Sequence, residues 1–192
     1  MLKLATSYSC AMSPDRTAAQ WAENGLARHK TRRVFIVDDH PIARRGLREL
    51  LESSPGWQYC GHAATGESCL RMAPKLKPDV IIMDISMRGM GGFEATRAIR
   101  AALPEVRIIL HTIHKTAELV RIGLAAGATG CVLKTDPEDQ MLAALEAVMR
   151  GEVYVAPSFS AKATAAVAKK TPRKKPASSG KPKYRRKRSA AY

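Results

Sequence analysis

The 192-residue chain carries 32 lysines and arginines against 17 aspartates and glutamates, a formal net charge of +15. Residues 153–192 hold twelve basic and no acidic side chains, whereas residues 32–152 are nearly neutral with sixteen basic and fifteen acidic ones. No apolar run approaches the roughly 20 residues of a membrane span, no signal-peptide pattern opens the chain, and the four cysteines lack C-x-x-C spacing. These features predict a cytoplasmic protein with reduced thiols and argue against a transmembrane or disulfide-rich protein.

Five strands are predicted, and each precedes a helix. The predicted strands are Val34–Val37, Trp57–Ala63, Asp79–Asp84, Val106–Leu110 and Gly130–Leu133. The predicted helices begin at Pro41, Gly66, Gly92, Lys115 and Pro137. Pro74 is predicted to end or kink the second helix about a turn before Pro78, because proline removes a backbone donor.

Alternating strands and helices predict an α/β fold, a parallel sheet with helices on both faces and right-handed crossovers. Residues 32–152 form this unit in the prediction. Residues 1–31 are assigned to an N-terminal extension with one short helix. Residues 153–192 are assigned to a basic, low-complexity tail that is expected to be disordered, because it has too little apolar surface to bury.

Polar side chains follow four of the predicted strands: Asp38 and Asp39, Asp84, Thr112, and Lys134. The carboxyl ends of parallel strands share one edge, so these groups are expected to converge. Any one of them has an ordinary alternative, since a lone aspartate after a strand usually caps a turn and a lone lysine is usually solvated. Together, the carboxylates suit Mg²⁺, and the lysine and hydroxyl suit a phosphoryl group arriving at Asp84 as nucleophile.

Ordered motifs around these residues resemble the receiver domain of two-component response regulators. They are Val37-Asp38-Asp39-His40-Pro41, Met83-Asp84-Ile85-Ser86-Met87, Gly89-Met90-x-Gly92, Leu110-His111-Thr112-Ile113-His114 and Gly127-Ala128-Thr129-Gly130-Cys131-Val132-Leu133-Lys134. The Asp-His-Pro motif and the segment Gly151-Glu152-Val153-Tyr154 resemble the NarL/FixJ subgroup. The resemblance covers about residues 32–157.

The resemblance implies a flavodoxin-like (βα)5 fold with strand order 2-1-3-4-5 and phosphotransfer from a histidine kinase to Asp84. It implies Mg²⁺ bound by Asp39, Asp84 and the backbone carbonyl of Ser86, with Asp38 assisting. It also implies that Thr112 and Lys134 contact the phosphoryl group. Phosphorylation would shift the face formed by the fourth helix and fifth strand, and the protein could form a homodimer on activation.

Three features depart from the family pattern. Arg88 stands where proline is usual in the loop after the acceptor aspartate. Cys131 stands where an aromatic switch residue is common. Phosphorylation is therefore expected to couple to the surface differently or more weakly. The NarL/FixJ subgroup normally continues into a helix-turn-helix domain, whereas the 35 residues after Pro157 carry no periodic apolar pattern. We therefore expect no recognition helix and no base-specific readout through that module.

The tail instead carries a set of clustered basic residues separated by proline, alanine and serine. The set comprises Lys169, Lys170, Arg173, Lys174, Lys175, Arg185, Arg186, Lys187 and Arg188. Such residues are expected to bind DNA through its phosphates, with steep salt dependence. Two alternatives remain open: a solvated tail with no dedicated partner, and a tail that binds an acidic protein or a membrane. The tail sequence shows no amphipathic helix that would favour membrane binding.

Three functional hypotheses follow. The first is a phospho-accepting receiver that regulates transcription through a DNA-associating tail. The second is a stand-alone receiver that acts by protein contacts or as a phosphate sink. The third, a phosphohydrolase with an aspartyl nucleophile, is disfavoured because Ser86, two residues after Asp84, is not an acid. We therefore expect the protein not to be an enzyme.

Overall fold

The computed structural model describes residues 31–159, in which six parallel strands form one sheet of order β2-β1-β3-β4-β5-β6. The strands are β1 (Arg32–Val37), β2 (Trp57–Ala63), β3 (Val80–Asp84), β4 (Arg107–Thr112), β5 (Gly130–Leu133) and β6 (Tyr154–Val155). The helices are α1 (Pro41–Ser53), α2 (Gly66–Leu76), α3 (Gly92–Ala102), α4 (Ala117–Ala126) and α5 (Glu138–Met149). The predicted flavodoxin-like order 2-1-3-4-5 is confirmed. The short helix predicted before residue 31 and the clustered basic residues of the tail lie outside the described residues.

Strand β3 shows how the sheet separates two cores. All five of its residues are buried, which explains why the four before Asp84 are apolar without interruption. Val80 and Ile82 pack into a cluster with side chains of α1 and α5, whereas Ile81 and Met83 pack into a cluster with side chains of α2, α3 and α4. Burying each such side chain contributes about 1.5–3 kcal/mol. Among residues 31–159, no helix is long and apolar enough to cross a membrane.

The sixth strand was not predicted. Tyr154 and Val155 pair in parallel with Gly130 and Cys131, and the chain continues into Phe159, which is 2% exposed. A strand of two residues is too short to show an alternating pattern, and its partner is distant in sequence. The packed part of the chain therefore extends beyond residue 152, where the sequence placed the boundary between receiver and tail.

Helix α2 runs to Leu76, close to the end at Lys77 that the sequence predicted, so Pro74 does not end it. The helix stops where Lys77 adopts a left-handed conformation. The predicted end of β4 is wrong, because the strand also includes His111 and Thr112. Both residues pair with β5, whereas the sequence placed them after the strand.

Candidate functional site

Three elements deliver charged side chains to one edge of the sheet. Asp84 ends β3 and is 2% exposed, and Asp38, which follows β1, is 1% exposed. Lys134 directly follows β5. Because β1 and β3 run parallel with Val37 opposite Met83, the residues that follow them emerge side by side. The predicted convergence of Asp38, Asp84 and Lys134 is what the structure shows.

Lys134 connects the two buried carboxylates. Its Nζ lies 2.7 Å from Oδ2 of Asp38 and 2.9 Å from Oδ2 of Asp84. Burial alone lowers the pKa of Lys134, but hydrogen bonds and charge from the two aspartates outweigh it and raise that pKa above its ordinary value. Lys134 is therefore charged at neutral pH. Removing one member of such a buried ion cluster typically costs about 3–5 kcal/mol.

The site holds more acidic than basic groups, which fits a divalent cation. One ligand atom each from Asp38, Asp39, His40 and Asp84 can be chosen so that all lie within 4.8 Å of one another. Oδ2 of Asp38 and Oδ1 of Asp39 are buried; each has a basic nitrogen close by, Lys134 Nζ and His40 Nδ1, but neither contact has ideal hydrogen-bond geometry. Three carboxylates with one lysine leave an excess of negative charge, and carboxylate oxygens are the ligands that Mg²⁺ prefers. The donor set therefore fits the predicted cofactor.

His40 is the member of this cluster that the sequence reasoning missed. Its Nδ1 lies 2.8 Å from Oδ1 of Asp39 and 3.4 Å from Oδ1 of Asp38. The only sequence signal was its place directly after the aspartate pair. The Asp-His-Pro motif indicated the subgroup, but the family resemblance implied no role for the imidazole.

The loop after Asp84 is held close to the site. The backbone N–H of Ser86 donates to Oδ1 of Asp84 over 3.2 Å, and that of Met90 donates to Oε1 of Glu67 over 2.9 Å. Gly92 packs so tightly that a Cβ there would lie 2.1 Å from the carbonyl oxygen of Asp84. Metal binding by the Ser86 carbonyl stays a prediction.

Thr112 and Cys131 are buried beside the site rather than exposed in it. Thr112 is 1% exposed; its hydroxyl oxygen accepts the N–H of His114, and its carbonyl accepts the N–H of Lys134. Cys131 lies within β5, where burial raises its pKa to about 12 and keeps the thiol protonated. The assigned roles in phosphoryl contact and switching stay predictions. Arg88 is exposed.

A recess above the site has an apolar rim. Asp84, Ser86 and Lys134 contribute to its lining, and Ile42 and Ile113 complete its edge. These two isoleucines are 82% and 62% exposed. The recess thus combines the charged side chains of Asp84 and Lys134 with exposed apolar side chains that another molecule could contact.

A second cavity, of about 180 Å³, lies between α1 and α5 and contains His111 in its wall. His111 is 8% exposed, and its Nδ1 has no hydrogen-bond partner. Burial, assisted by the positive charge of Lys134, lowers the pKa of His111 to about 4. This imidazole is therefore neutral at physiological pH.

Comparison with known proteins identifies relatives of the described domain. The family model of the response regulator receiver domain matches residues 34–146. Response regulator GacA of Pseudomonas aeruginosa is 35% identical over 128 residues, covering 67% of this chain and 60% of the relative. Response regulator UvrY of Escherichia coli is 37% identical over 123 residues, covering 64% of this chain and 56% of the relative. The chain thus spans about 60% of the length of the curated relatives that it matches.

Solved structures of response regulators have the same fold as the described domain. A LuxR-family two-component response regulator from Aurantimonas sp. SI85-9A1 aligns with a TM-score of 0.67 and 34% identity, covering 71% of this chain and 97% of that one. The isolated REC domain of RcsB from Salmonella enterica serovar Typhimurium, solved with the phosphomimetic BeF3⁻, aligns with a TM-score of 0.64 and 28% identity. That alignment covers 69% of this chain and 98% of the RcsB domain.

Proposed function

This chain belongs to the response regulator receiver domain family, and on that premise we propose that it is a phosphorelay switch that accepts a phosphoryl group on Asp84. The observation that carries this proposal is the pairing of Lys134 with Asp84 and Asp38 at one buried edge. A structural ion pair would not need two carboxylates on one lysine and a third, Asp39, within the same cluster. A site that receives an anionic group needs both the nucleophile and a cation already in place.

The transfer is a displacement at phosphorus. A carboxylate oxygen of Asp84 bonds to phosphorus as the bond from phosphorus to the kinase histidine nitrogen breaks, giving an acyl phosphate and a neutral imidazole after proton uptake. Lys134 Nζ, 2.9 Å from the nucleophilic carboxylate, neutralises charge on the arriving phosphoryl oxygens. Asp39, Asp84 and the Ser86 carbonyl, with Asp38 assisting, would hold Mg²⁺, which would provide further electrostatic stabilisation of the phosphoryl oxygens.

The histidine kinase is the proposed phosphodonor, and the apolar rim formed by Ile42 and Ile113 is its proposed contact. Both side chains are exposed and line the same recess as Asp84, so a helix carrying the phosphohistidine could bury them while approaching the site. Burying two aliphatic side chains supplies binding energy, and the charged side chains of the recess supply orientation. Phosphorylation changes the state of this protein, so the proposal includes no turnover of a separate substrate.

Phosphorylation of Asp84 is proposed to be read through Thr112 and the neighbouring strand β5. The carbonyl of Thr112 accepts the Lys134 N–H over 2.8 Å, and β5 also contains Cys131. A change in the position of Lys134 is therefore passed to both strands. Cys131 is small, so this coupling would not use the swing of an aromatic ring.

The output is proposed to be DNA association through the basic tail. Its support is the charge distribution, twelve basic and no acidic residues in 153–192. Contacts of this type bind phosphates without reading bases, and their affinity falls steeply with salt. The test is fluorescence anisotropy of labelled duplex DNA against salt, comparing the full chain with a chain ending at Phe159, each with and without beryllofluoride. Equal binding by both chains at moderate salt would reject the DNA output and favour a receiver that acts through protein contacts or as a phosphate sink.

The acceptor assignment has its own test. We would incubate the wild-type protein and Asp84→Asn with a phosphorylated histidine kinase or acetyl phosphate and measure the intact mass. The wild type should gain one phosphoryl group that alkaline treatment removes, and Asp84→Asn should gain none. Asp79→Asn is the matched control because Asp79 lies at the other end of β3, where it accepts the N–H of Arg33. Equal labelling of Asp84→Asn and the wild type would refute the assignment.

A further inference from the structure

His40 has a defined position although its side chain is 68% exposed. Its backbone N–H donates to Oδ1 of Asp38 over 2.8 Å. Pro41 follows and favours the extended conformation that His40 adopts, with φ −89° and ψ 112°. The side chain makes no capping hydrogen bond to α1. Its contact with the aspartates is therefore not explained by a role in starting the helix.

The donor atoms around His40 lie close enough together to share one cation. Nδ1 of His40 lies 2.8 Å from Oδ1 of Asp39, 3.4 Å from Oδ1 of Asp38 and 4.0 Å from Oδ2 of Asp84. Ligand atoms about 2.1 Å from one metal ion are separated by distances of this order. The imidazole nitrogen and the carboxylates could therefore reach the same ion.

The carboxylates provide a separate observation that points to a cation here. Oδ1 of Asp39 is buried and accepts no hydrogen bond of good geometry, and its nearest basic atom is Nδ1 of His40. Oδ2 of the almost wholly buried Asp38 also accepts none of good geometry, although Lys134 Nζ lies 2.7 Å from it. Lys134 therefore offsets charge on Asp38 and leaves the oxygen of Asp39 to be satisfied by a cation shared with the imidazole nitrogen.

We propose that His40 Nδ1 is a ligand of the cation held by Asp39 and Asp84, and that it biases the site towards divalent first-row transition cations over Mg²⁺. This rests on the proposed use of the acidic cluster as a metal site. Mg²⁺ prefers oxygen donors, whereas imidazole nitrogen strengthens binding of transition cations, and more so for Co²⁺ than for Mn²⁺. The histidine therefore selects among metals without changing the acceptor Asp84.

Pulsed EPR of the Mn²⁺-loaded full chain tests the ligand directly. Directly bonded ¹⁴N should give a hyperfine coupling in the wild type that disappears in His40→Ala. The matched control is His62→Ala, because His62 is an exposed histidine on β2 that lies outside the acidic cluster. It should keep the coupling. No ¹⁴N coupling in the Mn²⁺-loaded wild type would overturn the proposal.

Isothermal titration with Co²⁺ and with Mg²⁺ tests the selectivity. His40→Ala should weaken Co²⁺ binding about tenfold or more and change Mg²⁺ binding less than about threefold. Equal losses for both ions would overturn the proposal, because His40 would then only position Asp39. Asp39→Asn separates the two proposals. If this variant binds both ions as tightly as the wild type does, the metal site itself is refuted, whatever the result for His40.

Discussion

The buried imidazole of His111 should make folding stability fall as the pH is lowered. Burial lowers its pKa from the ordinary 6.5 to about 4. Between these values the unfolded chain binds a proton that the folded chain does not, so the stability contribution is complete above about pH 6.5 and is lost as pH falls towards 4. We expect this residue to remove about 2 kcal/mol between pH 7 and pH 5, since each pKa unit is worth about 1.4 kcal/mol.

The variant His111→Leu isolates this contribution. The cavity that His111 lines also has the aliphatic side chains of Leu47, Leu50 and Val132 in its wall, so leucine is a compatible replacement. Urea unfolding followed by circular dichroism at pH 5, 6 and 7, without divalent cations, gives the free energy of unfolding. The variant should lose about 2 kcal/mol less than the wild type between pH 7 and pH 5. The exposed control His62→Leu should follow the wild type.

Parallel stability curves for the wild type and His111→Leu would refute this reasoning. Such a result would mean that His111 is protonated in the folded protein at pH 5. The neighbouring Asp38, Asp84 and Asp136 would then outweigh both burial and the opposing charge of Lys134.

Three further stability predictions can be measured by urea unfolding. Gly92→Ala should destabilise the fold by about 1–3 kcal/mol, because its Cβ would lie 2.1 Å from the Asp84 carbonyl oxygen; Gly91→Ala, with ordinary contacts, is the control, and equal stabilities would contradict the close packing. Phe159→Ala should cost about 3–5 kcal/mol because the ring is 2% exposed; an unchanged unfolding midpoint would show that the end of the described chain is not packed. Thr65→Ala should cost about 1 kcal/mol, because the Thr65 hydroxyl accepts a backbone N–H at the start of α2. Thr65→Ser should retain most of this stabilisation, because serine also carries a capping hydroxyl.

The sequence predicts the fold well because the strands carry strong local signals. The uninterrupted apolar run of β3 and the glycine at the end of α4 identify those elements without any tertiary information. The charged site could be predicted for the same reason, since parallel strands bring their carboxyl ends together. Strand β6 could not be predicted, because two residues pair only after Gly130 and Cys131 are in place. The place of His40 in the acidic cluster was also not predictable, because its distance from Asp84 depends on how β1 and β3 align.

Strand β6 has a consequence for whatever is attached beyond it. Because β6 is parallel to β5, the chain arrives after Val155 at the edge of the sheet that carries Asp84. There the hydroxyl of Ser158 donates to Oδ2 of Asp136, which also accepts the N–H of Leu133. Any contact between the acidic edge and chain attached after Phe159 would therefore be intramolecular, with an effective concentration set by tether length and not by the amount of protein in solution. Even weak attraction between basic residues and that edge becomes an intramolecular equilibrium, and a new phosphoryl charge on Asp84 would shift it.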